Sequence, residues 1–170
     1  VTAIENRYSM LARWHESLLP VCEELGVGFV AFSPMGNGFL SGKYQSGDTF
    51  TKGDFRNTMP QYMPEGFKAA QALLDKVSGM AKIHEATMAQ ISLSWMLGKK
   101  NYIVPIPGSR KLNRMEENVR SAEVQLTAQE IADLDSALDK MNLPVFGGHQ
   151  IKGVFYRSSL KYRKITFISS

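Results

Sequence analysis

"IVPIPGSRKLNRMEENV", residues 103–119, decides how the chain is read. An apolar run stops at Pro105 and Pro107. A glycine, a serine, three basic residues and a cluster of Arg, Glu and Asn follow. A short apolar run bounded in this way predicts a buried strand over 102–106. Asn113 followed by Glu116 predicts a capped helix reaching about 122. On that helix Leu112, Met115, Val119 and Ala122 share one face. Arg114, Glu117 and Asn118 stand at i, i+3 and i+4 and share the other. Ser109 and Arg110 lie just before the helix, where backbone N–H groups and the dipole favour an anion. A hydroxyl with one or two guanidiniums suits a phosphate. Glu117 and Asn118 offer an acceptor and an amide, which suit the exocyclic amine of a purine. The plainer alternative is a solvated helix face carrying an Arg–Glu pair.

Outward from this stretch, strands and helices alternate. Residues 1–5 read as a strand, 15–25 as a helix with Leu18, Cys22 and Leu25 on one face, and 28–32 as a second strand. About 30 residues without a clear period follow, with glycines at 36, 38, 42, 47 and 53. A loop that long is functional or disordered. A helix is predicted over 66–84, with Phe67, Ala70, Leu74, Val77 and Ala81 on one face. Thr87 and Gln90 form a capping box for a nearly all-apolar helix, 88–99. Thr127 and Glu130 open the last helix, with Ile131, Leu134, Leu138 and Met141 facing the core. Such alternation means parallel pairing with right-handed crossovers. Three strands do not close a barrel and leave two edges bare, so association that covers those edges is expected.

Composition narrows the function classes. Of the formal net charge of +4, five positive charges fall in residues 151–170 with no acid among them, so residues 1–150 carry −1. A near-neutral body gives no footprint for nucleic acid. No apolar run approaches the roughly 18 residues of a membrane span. Cys22 is the only cysteine, which predicts a reducing, cytoplasmic setting and no disulfide framework. His15, His84 and His149 lack metal spacing, and His84 reads as a half-buried packing residue. Val1 opens inside a strand pattern, which predicts a fragment: residues 1–152 as one body, with a basic, disordered tail over 153–170.

Two further stretches carry polar chemistry. In "FVAFSPMGNGFLSGKY", 29–44, Phe32 ends a strand where it can stack on a flat ring or simply fill the core. Ser33, Gly36 and Gly38 let backbone approach a phosphate, whereas Lys43 reads as a solvated loop lysine. In "IENRYS", residues Glu5, Asn6, Arg7 and Tyr8 stand at a strand's carboxyl end, where parallel sheets bind ligands.

Taken in order, "VTAIENRYSMLARWHE", "AFSPMGNGFLSGKY" and "IPGSRKLNRMEENVRSAEVQLT" resemble the later part of the aldo-keto reductases, over Val1 to about Lys152. The resemblance implies an α/β fold, a TIM-type (β/α)8 barrel of which this chain supplies about the last three units. It also implies NADP(H) bound extended, and a small-molecule carbonyl reduced to an alcohol in the intact enzyme. By the same resemblance Ser109 and Arg114 would hold the 2′-phosphate, with Arg110 reinforcing the grip. Glu117 and Asn118 would hold the adenine, Phe32 would stack on the nicotinamide, and Ser33, Met35, Gly36 and Gly38 would line the pyrophosphate. Glu5 stands where the family usually has a Gln that bonds the carboxamide, and Arg7 where many members have Glu. The family's catalytic Asp, Tyr, Lys and His come from the first half of the barrel, and no segment here matches them. The resemblance therefore also admits a non-catalytic NADP(H)-binding subunit or an inactive truncated chain.

Overall fold

A computed structural model describes residues 1–143 and 145. Three apolar segments become parallel strands, β1 (Ala3–Arg7), β2 (Gly28–Phe32) and β3 (Ile103–Pro105), in the order β1-β2-β3. β1 runs two residues later than the predicted strand, which brings Asn6 and Arg7 into the sheet. Arg7 lies opposite Phe32, and Val30 opposite Val104. Side chains alternate, so Ile4, Asn6, Phe29, Ala31 and Ile103 point to one face and Glu5, Arg7, Val30, Phe32 and Val104 to the other. Phe29 and Ala31 are fully buried, whereas Val104 is 53% exposed. Parallel sheets are ordinarily covered on both faces. Here the helices cover one, and among the described residues neither edge strand has an outer neighbour.

α1 (Leu19–Leu25) links β1 to β2; α2 (Pro64–Ile83) and α3 (Met88–Lys99) link β2 to β3; α4 (Leu112–Val119) and α5 (Ala128–Asp139) follow. The predicted face of the first helix is corrected. Pro20 sits at its start and the α-helix begins only at Leu19, so Leu19 and Cys22 turn inward while Leu25 is left outside. Gly26 ends it in the left-handed region, at φ 62°. Both expected capping boxes form, at Thr87–Gln90 and Thr127–Glu130. The one expected at Asn113 does not. Lys111 precedes α4 and no side chain caps it. The apolar face of α4 is left largely outside, with Leu112 70% and Val119 75% exposed.

The core lies between the sheet and α2, α3 and α5. Trp95 stacks on Tyr8 with centroids 5.6 Å apart, and Tyr8 meets Phe29 edge-on. A polar seam runs beside them. The Tyr8 hydroxyl donates to Glu16 at 2.7 Å, and Arg13 grips both Glu16 oxygens and reaches Asp139. Trp95 Nε1 and Lys99 both bond Asp135, at 2.9 and 2.6 Å. Burial pushes the Glu16 carboxyl up, but hydrogen bonds from Arg13 and Tyr8 outweigh it and hold the group below its usual range. Burial, then the bond to Glu16, pushes the Tyr8 hydroxyl well up.

The long segment after β2 is ordered. It winds through short 3-10 turns at Gly36–Ser41, Phe55–Thr58 and Pro60–Tyr62. Phe39, Tyr44, Phe50, Tyr62 and Phe67 cluster, and the Arg56 guanidinium caps Tyr44 and Phe50 at 4.9 and 4.4 Å. A cluster assembled from five positions without a period leaves no trace in hydrophobic spacing. At the entry to α2, a Cβ on Gly66 would stand 2.3 Å from the Pro60 carbonyl oxygen and 2.7 Å from that of Gln61. Both obstacles are backbone. Gly66→Ala is therefore expected to cost about 1–3 kcal/mol, read as a lower urea midpoint; an unchanged midpoint would show that the helix start shifts freely.

No described helix is long and apolar enough to cross a membrane. The expected boundary at 152 and the tail over 153–170 lie outside the described residues.

Candidate functional site

A cavity of about 610 Å³ opens at the carboxyl ends of β2 and β3. One wall is the turn after β2, from Ser33 to Tyr44. The other is the loop after β3 and the exposed side of α4, from Ile106 to Asn118. Strand order produces this arrangement, since β2 and β3 are neighbours and their following loops leave the same sheet end.

The first wall folds back on itself because several residues take positive φ. Ser33 sits at 52°, Asn37 at 61° and Gly38 at 92°. Ser41 Oγ donates to the Gly38 carbonyl at 2.6 Å and closes the turn. The reversal carries Lys43 and Tyr44 to the cavity. The Tyr44 hydroxyl accepts from Arg56, which is also bonded to Asp54 at 2.5 Å. That side-chain bond, helped by the Arg56 backbone N–H, holds the Asp54 carboxyl at about 2.

In the second wall Ser109 Oγ accepts from the Lys111 backbone N–H at 3.1 Å and steadies the approach to α4. Arg114 Nη1 donates to Glu117 Oε2 at 2.5 Å. The Glu117 side chain is 14% exposed and that of Arg114 42%. The Arg–Glu pair is therefore real, and it forms part of the cavity wall.

Eight predicted site residues line this one cavity: Ser33, Met35, Gly38, Ser109, Arg110, Arg114, Glu117 and Asn118. Three do not. Phe32 ends β2 immediately before the wall begins, on the sheet face without helices, with the Arg7 guanidinium carbon 5.5 Å from its ring centre. Glu5 lies on that same face, on β1. Gly36 is buried; its φ is 55°, and a Cβ there would meet Leu11 Cδ1 at 2.8 Å, so packing accounts for this glycine. Sequence reasoning passed over Asn37, Ser41, Tyr44, Lys111 and Asn113, and read Lys43 as a solvated lysine. Lys43 is exposed, yet it stands at the rim. Lys111 had a usable signal, being next to Arg110 at a helix start. Lys43 had none, because only the folded turn brings it back.

Tyr8, His15 and His84 are not among the residues that line the cavity. His84 does more than pack: it meets Glu130 at 2.6 Å across α2 and α5. The Thr127 backbone N–H, then His84, holds the Glu130 carboxyl below its usual range.

The aldo/keto reductase family pattern matches residues 1–139. Aldo-keto reductase str7 of Strobilurus tenacellus is 38% identical over 131 residues, covering 75% of this chain and 38% of that protein. Aldo-keto reductase yakc [NADP(+)] of Schizosaccharomyces pombe is 32% identical over 157 residues, covering 90% of this chain and 46% of that one. The chain thus spans less than half the length of these relatives. A thermostable aldo-keto reductase solved with the inhibitor epalrestat superposes with a TM-score of 0.58 at 25% identity, over 81% of this chain and 40% of the other. The three-stranded parallel sheet with helices on one face is part of such a TIM-type barrel. Strand order, cavity walls and matched sequence agree, and the chain belongs to the aldo/keto reductase family.

Proposed function

We propose that this chain is the cofactor-binding part of an NADPH-dependent reductase that converts small-molecule aldehydes or ketones to alcohols. The observation that carries the reading is the single cavity that gathers eight expected cofactor contacts with four cations, Lys43, Arg110, Lys111 and Arg114. The donor set fits the group. Arg114 and Arg110 with Ser109 bind the 2′-phosphate, Glu117 and Asn118 the adenine, and the backbone from Ser33 to Gly38 with Met35 the pyrophosphate. Lys43 adds positive charge at the rim. Phe32 and Glu5 receive the nicotinamide end. When bound, NADPH supplies the hydride. The residues described here bind and orient, and we place the proton donor outside them. Among the described residues the sheet is bare on one face and at both edges, which favours association that covers them, with the rest of a barrel or with a partner. The single buried thiol supports a reducing cytoplasm.

Titration with both cofactors tests the reading. Hydrogen bonds to charged groups contribute about 1.5–3 kcal/mol each, so NADPH is expected to bind at least about tenfold more tightly than NADH. Equal dissociation constants would sink the proposal. Arg114→Ala is expected to weaken NADPH at least about tenfold more than NADH. A surface pair alone contributes under about 1 kcal/mol, so a parallel loss for both cofactors would assign Arg114 to structure.

A further inference from the structure

The two outer edges of the sheet differ in what their backbones offer. On β1 the Thr2 carbonyl accepts from the Gly28 N–H at 2.9 Å, and the Tyr8 N–H donates to the Phe32 carbonyl at 3.3 Å. Successive residues of a strand aim their backbone groups to alternate sides. Thr2, Ile4, Asn6 and Tyr8 therefore bond inward, to β2, and the backbone groups of Ala3, Glu5 and Arg7 point outward. On β3 the Phe29 N–H donates to Tyr102 and the Ile106 N–H to Ala31, which leaves Ile103 and Pro105 as the outward pair. The Ile103 N–H already donates to the Lys100 carbonyl at 3.2 Å, and a proline has no N–H. β1 is thus the edge on which another strand can pair, and it is also the longer, five residues against three.

The charges on that edge select the strand. Glu5 is exposed and Arg7 half-buried, and they share one face two residues apart. A neighbour that presents the same two charges in reverse order answers both, and a second copy of β1 turned antiparallel by a two-fold axis does so. Centred on Asn6, the pairing sets Glu5 opposite the second copy's Arg7 twice over, and these are residues whose backbone groups point at each other. Centring on Glu5 or on Arg7 sets like charges opposite one another, and centring on Ile4 sets Glu5 against Ala3 with no charge to answer it. Ser9 is already bonded to Ala12 in both directions, so the paired stretch ends at Arg7. We propose that two copies of this chain pair through β1, antiparallel and centred on Asn6, so that two three-stranded sheets become one six-stranded sheet with all helices on one side. The short ladder makes the association reversible. The inference goes beyond the cofactor reading and names a second copy of the chain as the partner at this edge.

Sedimentation equilibrium of the 170-residue chain over a dilution series, without cofactor, tests this. The unaltered chain is expected to be a reversible dimer that weakens as added salt screens the two ion pairs. Glu5→Arg and Arg7→Glu each set like charges opposite one another at both pairs, and each should weaken the dimer about tenfold or more. Mixed in equal amounts, the two variants carry opposite charges at both pairs, and their mixed dimer should recover the affinity of the unaltered chain. Three results overturn the proposal: a monomer at every concentration, as when residues of the same chain cover the edge; an assembly larger than a dimer; and a dimer that neither variant weakens or whose variants fail to rescue each other. The mass of the unaltered chain and its response to salt need no variant, so a misfolded substitution does not remove the test, and a dimer indifferent to salt also overturns it. The cofactor titrations described above read a different property, so either reading can fail while the other stands.

Discussion

Saturated with NADPH and offered a reactive aromatic aldehyde, the 170-residue chain is expected to show no loss of cofactor absorbance above the uncatalysed rate. Hydride addition leaves charge on the carbonyl oxygen, and a positioned acid must neutralise it, an effect typically worth about 10²–10⁴-fold. The described tyrosines are occupied elsewhere. Tyr8 is fully buried, donates to Glu16 and is pushed well above its ordinary range by burial. Tyr62 donates to the Asn37 carbonyl at 3.0 Å and is pushed up by burial as well. Tyr102 donates to the Leu19 carbonyl at 2.7 Å. Tyr44 reaches the cavity, but its hydroxyl is engaged with Arg56, on the side of the aromatic cluster. Turnover comparable to that of an intact reductase would refute the assignment of the proton donor to residues outside this chain. If that turnover vanished in Tyr44→Phe and survived in Tyr8→Phe, Tyr44 would be the acid.

The second large effect concerns stability. Trp95→Ala is expected to cost about 3–5 kcal/mol, the usual range for truncating a buried aromatic. Trp95 is fully buried on α3, stacks on Tyr8 and donates to Asp135 on α5. Its removal leaves a void under the sheet and takes a partner from Asp135, which keeps only Lys99 of the bonds described for it. The urea midpoint should fall steeply, and Trp95→Phe, which keeps most of the volume, should fall less. A loss under about 1 kcal/mol for Trp95→Ala would mean that the site collapses around the gap.

What was legible in the sequence follows the range of the forces. Local signals came through. The bounds of α3 and β2, the capping boxes at Thr87 and Thr127 and the stop at Gly26 depend on neighbours within a turn or two. So did the gathering of Ser109, Arg110, Arg114, Glu117 and Asn118, since all five sit on one loop and one helix. Signals that need the folded chain did not. Lys43 reaches the rim only after five residues, Ser33, Gly36, Asn37, Gly38 and Gly42, take positive φ within the turn. The cluster around Tyr62 and Phe67 draws its rings from positions with no shared period. Asn113 has cap chemistry, yet Lys111, whose N–H is held by Ser109, takes the cap position and the helix begins two residues early, so Asn113 lines the cavity instead.

The two cavity walls lie far apart in sequence, with α2 and α3 between them. A ligand that touches both is a brace across the fold. A ligand that binds only the folded state adds about 2.7 kcal/mol at one hundred times its dissociation constant, of the same order as a typical disulfide. Sheet closure by further strands is one source of rigidity for such a unit, and a spanning dinucleotide is another. Melting temperature rising with cofactor concentration would therefore report a mechanical strut as much as an affinity. The cell's cofactor pool would then set how long the unit lasts before it opens.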